Sequence, residues 1–130
     1  MSDRAIARLA LLVEDYDAAI AWFCRCLGFV LLEDTPLTGE KRWVRLAPPG
    51  GRGAELLLAR AAGDAQRGQV GGQGGGRVFL YLETDDFAGD HARMTAAGVR
   101  FLEEPRVETY GTVAVFEDLC GNRWDLVEPA

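Results

Sequence analysis

The feature that most constrains how this chain folds is an internal repeat of about seventy residues, because a duplicated unit fixes both the architecture and the place where a site can form. The first copy runs through the apolar segment Ile6–Val13, broken only by Arg8, to Glu14-Asp15 and a helical stretch that closes at Gly28 and resumes at Phe29. The second runs from Arg77 through Val78-Phe79-Leu80-Tyr81-Leu82 to Asp85-Asp86, a second helical stretch, Gly98 and Val99-Arg100-Phe101. Arg8 and Arg77 lie 69 residues apart, and Gly28 and Gly98 lie 70 apart.

Local chemistry supports each copy. Asp15 and Asp86 are good N-cap residues, since a short carboxylate can accept from the free N–H groups of a first helical turn. Tyr16, Ile20, Phe23 and Leu27 recur at helical spacing, as do Phe87, His91, Met94 and Ala97. Trp22-Phe23 is expected to anchor the first helix to its sheet. Gly28 and Gly98 then suit the left-handed residue that ends a helix. Strands are expected over 29–34, 41–47 and 54–59, and again over 99–104, 112–117 and 123–128, separated by Pro36, Gly39, Pro48 to Gly51, Pro105 and Gly121-Asn122. The reading is α+β: two tandem βαβββ modules, 1–62 and 77–130, with mixed sheets and one helix on each outer face. A Gly-rich linker, 63–76, joins them into one structural domain. Gly72-Gln73-Gly74 within it has neither the preceding strand nor the following helix of a dinucleotide site.

Strand alternation sorts the polar residues by face. Leu9, Leu11 and Val13 suit the face beneath the helix, and Arg8, Ala10 and Leu12 the other. Arg77, Phe79 and Tyr81 similarly share a face. Glu55 stands before Leu56-Leu57-Leu58 and Asp125 between Trp124 and Leu126, 70 residues apart, each a lone acid in an apolar strand. A charge so placed is expected to be paired or to line a cavity. Arg8, Arg77, Glu55 and Asp125 are therefore either a closed charge cluster or the walls of a cleft. Trp43, Phe79 and Tyr81 supply apolar or stacking surface to such a cleft, and Tyr110 lies in a loop suited to its rim.

Composition removes several functions. The net charge of −6 argues against a nucleic-acid or anionic-membrane binder, and no apolar run approaches the roughly 18 residues of a membrane span. Met1-Ser2-Asp3-Arg4 opens no apolar signal segment, so a cytoplasmic protein with free thiols is expected. His91 is the only histidine, which excludes metal sites built on two or three imidazoles; on its helix it reads as a packing residue. Cys24 and Cys26 point roughly 200° apart on that first helix and cannot chelate together.

The residues Arg8–Asp15, Ala19, Trp22-Phe23, Leu27-Gly28-Phe29 and the ending Phe116-Glu117-Asp118-Leu119-Cys120-Gly121-Asn122-Arg123-Trp124-Asp125-Leu126 carry a resemblance over nearly the whole chain. It resembles the vicinal oxygen chelate superfamily of glyoxalase I, bleomycin-resistance proteins and extradiol dioxygenases, whose Asp-Pro-x-Gly-Asn-x-x-Glu-Leu ending appears here with Leu119 for proline and Asp125 for glutamate. The resemblance implies two βαβββ modules curling a mixed sheet around a pocket, commonly in a homodimer. It places the four metal-ligand positions on Arg8, Glu55, Arg77 and Asp125. Guanidinium has only donors and cannot coordinate a cation, so no cofactor is expected. Glu55 and Asp125 are the weak candidates for a divalent ion. The expected function is binding of a small anionic or aromatic molecule, with no nucleic-acid or membrane partner. The alternatives are a metal-dependent lyase or dioxygenase and a non-catalytic structural or regulatory module.

Overall fold

The computed structural model describes all residues from Met1 to Ala130 and divides the chain into two compact units, Met1–Arg67 and Gly68–Ala130. Each repeats the other's plan of one helix on one four-stranded mixed sheet, giving an α+β fold of two modules. No helix is long and apolar enough to cross a membrane.

The first unit contains β1 (Arg8–Val13), α1 (Tyr16–Leu27), β2 (Val30–Pro36), β3 (Arg42–Ala47), β4 (Glu55–Arg60) and the short α2 (Gly63–Arg67). Its sheet has the order β1-β4-β3-β2, with β1 parallel to β4 and the other pairs antiparallel. Asp15 caps α1, its Oδ2 accepting the Ala18 N–H at 2.7 Å, and Gly28 ends it at φ 67°. A residue with a Cβ resists that left-handed conformation, which explains glycine there. The buried stripe of α1 is Tyr16, Ala19, Phe23 and Cys26, with Ile20 and Leu27 only half-buried. It covers Leu11 and Val13 of β1, Val44 and Leu46 of β3, and Leu56 and Leu58 of β4, all buried. The opposite sheet face bears Arg8, Leu12, Trp43, Arg45, Glu55 and Leu57, and the end of α2, Gln66 and Arg67, borders it beside Leu12 and Leu57.

The second unit contains β5 (Val78–Glu83), α3 (Phe87–Ala96), β6 (Arg106–Glu108), β7 (Gly111–Glu117) and β8 (Arg123–Pro129), ordered β5-β8-β7-β6. Asp86 caps α3 through the Gly89 N–H. Phe87 and Met94 are buried, and His91 stacks between Phe87 at 5.6 Å and Phe101 at 4.2 Å. That is a packing role. Phe116 lies against Trp124 at 5.7 Å in the same core.

One expected strand is replaced. Residues 99–104 form no ladder beyond a single bridge between Phe101 and Phe116, and the edge strand is β6, beyond Pro105. The reason is local: after Leu102 donates to the Val115 carbonyl, the Glu103 carboxylate takes the Val115 N–H at 3.1 Å, filling the donor that the next ladder bond would use. The segment 63–76 also holds more structure than its composition suggests, with α2 followed by consecutive turns in which Gly72, Gly75 and Arg77 donate to Gln69, Gly72 and Gly74. Gly71 lies so close to the Cys120 carbonyl that a Cβ there would collide with it. None of the three cysteines forms a disulfide.

Candidate functional site

On the open face of the first unit, parallel pairing puts Arg8 directly opposite Glu55. Arg8 Nε donates to Glu55 Oε1 at 3.2 Å. Arg45, two residues beyond Trp43 and so on the same face, closes on Glu55 with both Nε and Nη2, at 3.0 and 2.7 Å. Its Nη1 reaches Glu33 of β2 at 3.0 Å, and Glu33 also accepts from the Thr35 hydroxyl at 2.9 Å. The Arg8 guanidinium lies over the Trp43 ring at 5.8 Å, which adds the indole to the charge circuit of Arg8, Glu55, Arg45 and Glu33. Contact with Arg45 holds the Glu55 and Glu33 carboxyls below their usual range. Two acids and two bases balance. Arg8 gives Glu55 only its Nε, and its side chain is 40% exposed, so its terminal amino groups are available for bidentate bonds to an anion.

Trp43 also borders a cleft of about 660 Å³. Leu12, Leu57 and Ala59 lie on this face and supply apolar lining, while Lys41, Arg42, Arg60 and Arg67 outnumber the single acid, Glu40. Arg42 is held by Asp34 and Asp17 and lies over the Tyr16 ring. The cleft thus offers an aromatic wall, an aliphatic floor and a basic rim, the combination that suits a flat molecule with a negative group.

The second unit is built differently. Asp125 stands opposite Tyr81 on one side and Val115 on the other. It is only 8% exposed and its Oδ1 has no hydrogen-bond partner. Burial pushes this carboxyl above its usual range; the charge of Arg106 opposes the shift and Glu103 adds to it. A carboxyl raised in the folded state contributes stability that is full at low pH and is lost as pH rises through its folded value. Asp125→Asn is therefore expected to gain stability relative to the unchanged protein between acid and neutral pH, read from urea unfolding at a series of pH values. A constant difference would show that Asp125 is well solvated.

Arg77 does not join Asp125 as Arg8 joins Glu55. It lies exposed just before β5, where Val78 pairs with Arg123, while Asp125 is met three residues further on by Tyr81. The cause is where the strands begin. β4 starts at Glu55, whereas β8 starts two residues before Asp125, and a register shift falls between Val78 and Leu80. The Arg8–Glu55 pair is therefore not repeated by Arg77 and Asp125 in the second unit. Phe79 is half-buried against Gly74, and Tyr81 and Tyr110 are 67% and 52% exposed. The Tyr110 hydroxyl accepts weakly from Arg106 at 3.4 Å.

Sequence reasoning missed Arg45 and Glu33. The signal for Arg45 was present, since it is a lone charge between Val44 and Leu46, the same criterion that marks Arg8. It also missed the buried Asp118, whose Oδ1 accepts from the backbone of Cys120 and Asn122 and whose Oδ2 accepts from Asn122 Nδ2 and the Trp124 indole, all at 2.9–3.0 Å.

These residues do not fit a chelated divalent ion. No three histidine, cysteine, aspartate or glutamate side chains come together. Both oxygens of Glu55 are engaged by guanidinium groups, and Glu103, the acid whose charge acts on Asp125, is itself bound through both oxygens to Arg106.

The comparisons with known proteins agree with this architecture. An uncharacterized protein of Shewanella frigidimarina is 51% identical over 126 residues, covering 96% of this chain and 93% of its own. The crystal structure of UcmS2 superposes with a TM-score of 0.83 at 26% identity, covering 97% of this chain and 98% of its own. TnmS3, described as an antibiotic binding protein from Streptomyces sp. CB03234, gives 0.81 at 28% identity, covering 100% and 99%. The profile of the Glyoxalase/Bleomycin resistance protein/Dioxygenase superfamily matches residues 5–126. The chain belongs to that superfamily.

Proposed function

We propose that this protein binds a small anionic or aromatic molecule without a catalytic metal, on the open sheet face of its first unit. The observation that carries the proposal is Trp43, shared between the basic-rimmed cleft and the Arg8 circuit. An aromatic ligand stacks on or beside the indole, and its negative group meets Arg8 or the cleft rim. Glu55 and Arg45 hold Arg8 in place. The antibiotic-binding description of TnmS3 supports small-molecule binding as the class of function. Assembly as a homodimer is part of this reading, and sedimentation of the purified protein tests it.

The experiment is a thermal-shift panel of aromatic carboxylates and of polycyclic aromatic antibiotics, run beside metal analysis of protein purified without chelators. A ligand at about a hundredfold over its dissociation constant adds roughly 2.7 kcal/mol of stability. Binding is expected to fall at least tenfold in Trp43→Ala. The panel giving no shift, or Trp43→Ala binding as well as the unchanged protein, would overturn the proposal. Stoichiometric metal would bring forward a metal-dependent lyase or dioxygenase.

A further inference from the structure

The cleft of the first unit has a single acid on its rim, and that acid is paired with one of the cations that make the rim basic. Glu40 Oε2 accepts from Arg60 Nη1 at 3.2 Å, and both residues line the cleft. The backbone is tied down on either side of the pair. Glu40 lies in the turn between β2 and β3, after Gly39 at φ 66°, where the Leu37 N–H donates to the Lys41 carbonyl at 2.8 Å. Arg60 ends β4 opposite Val13, and the Ala61 N–H that follows donates to the Val13 carbonyl at 2.9 Å. The side chains are looser than this frame, Arg60 being 50% and Glu40 89% exposed. An ion pair so open to water contributes little to stability and gives way readily to a better partner.

The other arginines of the rim are engaged differently. Arg42 is bound to Asp34 at 3.1 and 2.7 Å and to Asp17 at 2.9 Å, and it lies over the Tyr16 ring, so its donors are taken up by the frame. Arg67 pairs within its own short helix with Asp64, which does not line the cleft. Arg60 alone is bound to an acid that itself borders the cleft. An anion entering there meets two obstacles in one residue: Glu40 holds the guanidinium that would receive it, and the Glu40 charge repels it. A neutral molecule of the same shape meets neither. We infer that Glu40 is a competitor built into the cleft, from which an anionic aromatic ligand takes Arg60 by bidentate hydrogen bonds while the Glu40 carboxylate turns to water. The inference rests on the reading of this cleft as the ligand site, and it adds which cation receives the negative group and which residue discriminates against weak anions.

The test uses two probes of one shape, 2-naphthoate and the uncharged naphthalene-2-methanol, followed on the full chain at neutral pH by amide and indole proton–nitrogen NMR. Glu40→Gln is expected to tighten 2-naphthoate binding about threefold to tenfold, the effect of removing one partly screened charge near the anion, and to leave the alcohol unchanged. Arg60→Gln is expected to weaken 2-naphthoate by about the same factor, again without effect on the alcohol. With Arg60→Gln already present, Glu40→Gln is expected to lose most of its benefit, because the two residues act through one contact. Both single variants are expected to melt with the unchanged protein, since an exposed pair supports little beneath it.

If the unchanged protein binds 2-naphthoate through Trp43 but Glu40→Gln binds it no more tightly, this inference is overturned and the cleft remains the ligand site. An equal gain for the alcohol, or an equal gain in the absence of Arg60, would also overturn it. So would a fall of several degrees in the melting temperature of either single variant, which would make the pair a structural tie. Failure of both probes to move the Trp43 indole signal in the unchanged protein and in Glu40→Gln would remove the cleft as the ligand site, and this inference with it.

Discussion

Asp118→Ala is expected to destabilise the protein by about 3 kcal/mol or more, measured by urea unfolding. The Asp118 carboxylate lies at 5% exposure and satisfies two backbone N–H groups, the Asn122 amide and the Trp124 indole. Alanine removes every acceptor at once. The Asn122 side chain, 2% exposed, and the Trp124 ring, 3% exposed, are then left with donors that water reaches poorly. The consequence extends beyond the turn, because this turn sets where β8 begins and therefore its register with β5 and β7. Asp118→Asn retains one acceptor and is expected to lose less. A loss under about 1 kcal/mol in the alanine variant would mean that water replaces the carboxylate without cost.

Phe23→Ala is expected to cost about 3–5 kcal/mol, the range for truncating a buried aromatic residue. Phe23 is 1% exposed and lies 5.6 Å from the Phe29 ring, where it joins α1 to the sheet. Trp22, its neighbour in sequence, is only half-buried and meets Phe23 edge-on at 5.1 Å. Trp22→Ala is expected to cost about 1 kcal/mol, as for a partly exposed contact. Chemical denaturation of both variants compares them directly. Equal losses would mean that the helix is held by the pair as a unit rather than by Phe23.

The repeat, the caps and the chemistry of individual strands are legible in the sequence because each is local. Asp15 and Asp86 cap their helices through N–H groups three residues away, and Gly28 ends α1 with its own backbone conformation. Arg8 and Glu55 stand out as lone charges in apolar strands, and parallel pairing brings them into contact. Arg45 is likewise a lone charge, between Val44 and Leu46. Its role depends on the β3–β4 and β2–β3 pairings, which bring Glu55 and Glu33 to either side of it.

What the tertiary structure decided is register and satisfaction. Arg77 and Asp125 repeat the spacing of Arg8 and Glu55 almost to the residue, yet Asp125 faces Tyr81. A strand's partner depends on where pairing starts and where a bulge falls, and equal offsets along the chain fix neither. The strand expected at 99–104 gave way to β6 for a similar reason, since a side chain, Glu103, took a donor that the backbone ladder would have used. The sequence by itself determined that two βαβββ modules form and which residues are charged within apolar strands. Only the folded chain determined which charges find partners, because a hydrogen bond depends on distances set by strand register, and register is a property of the sheet rather than of any one strand.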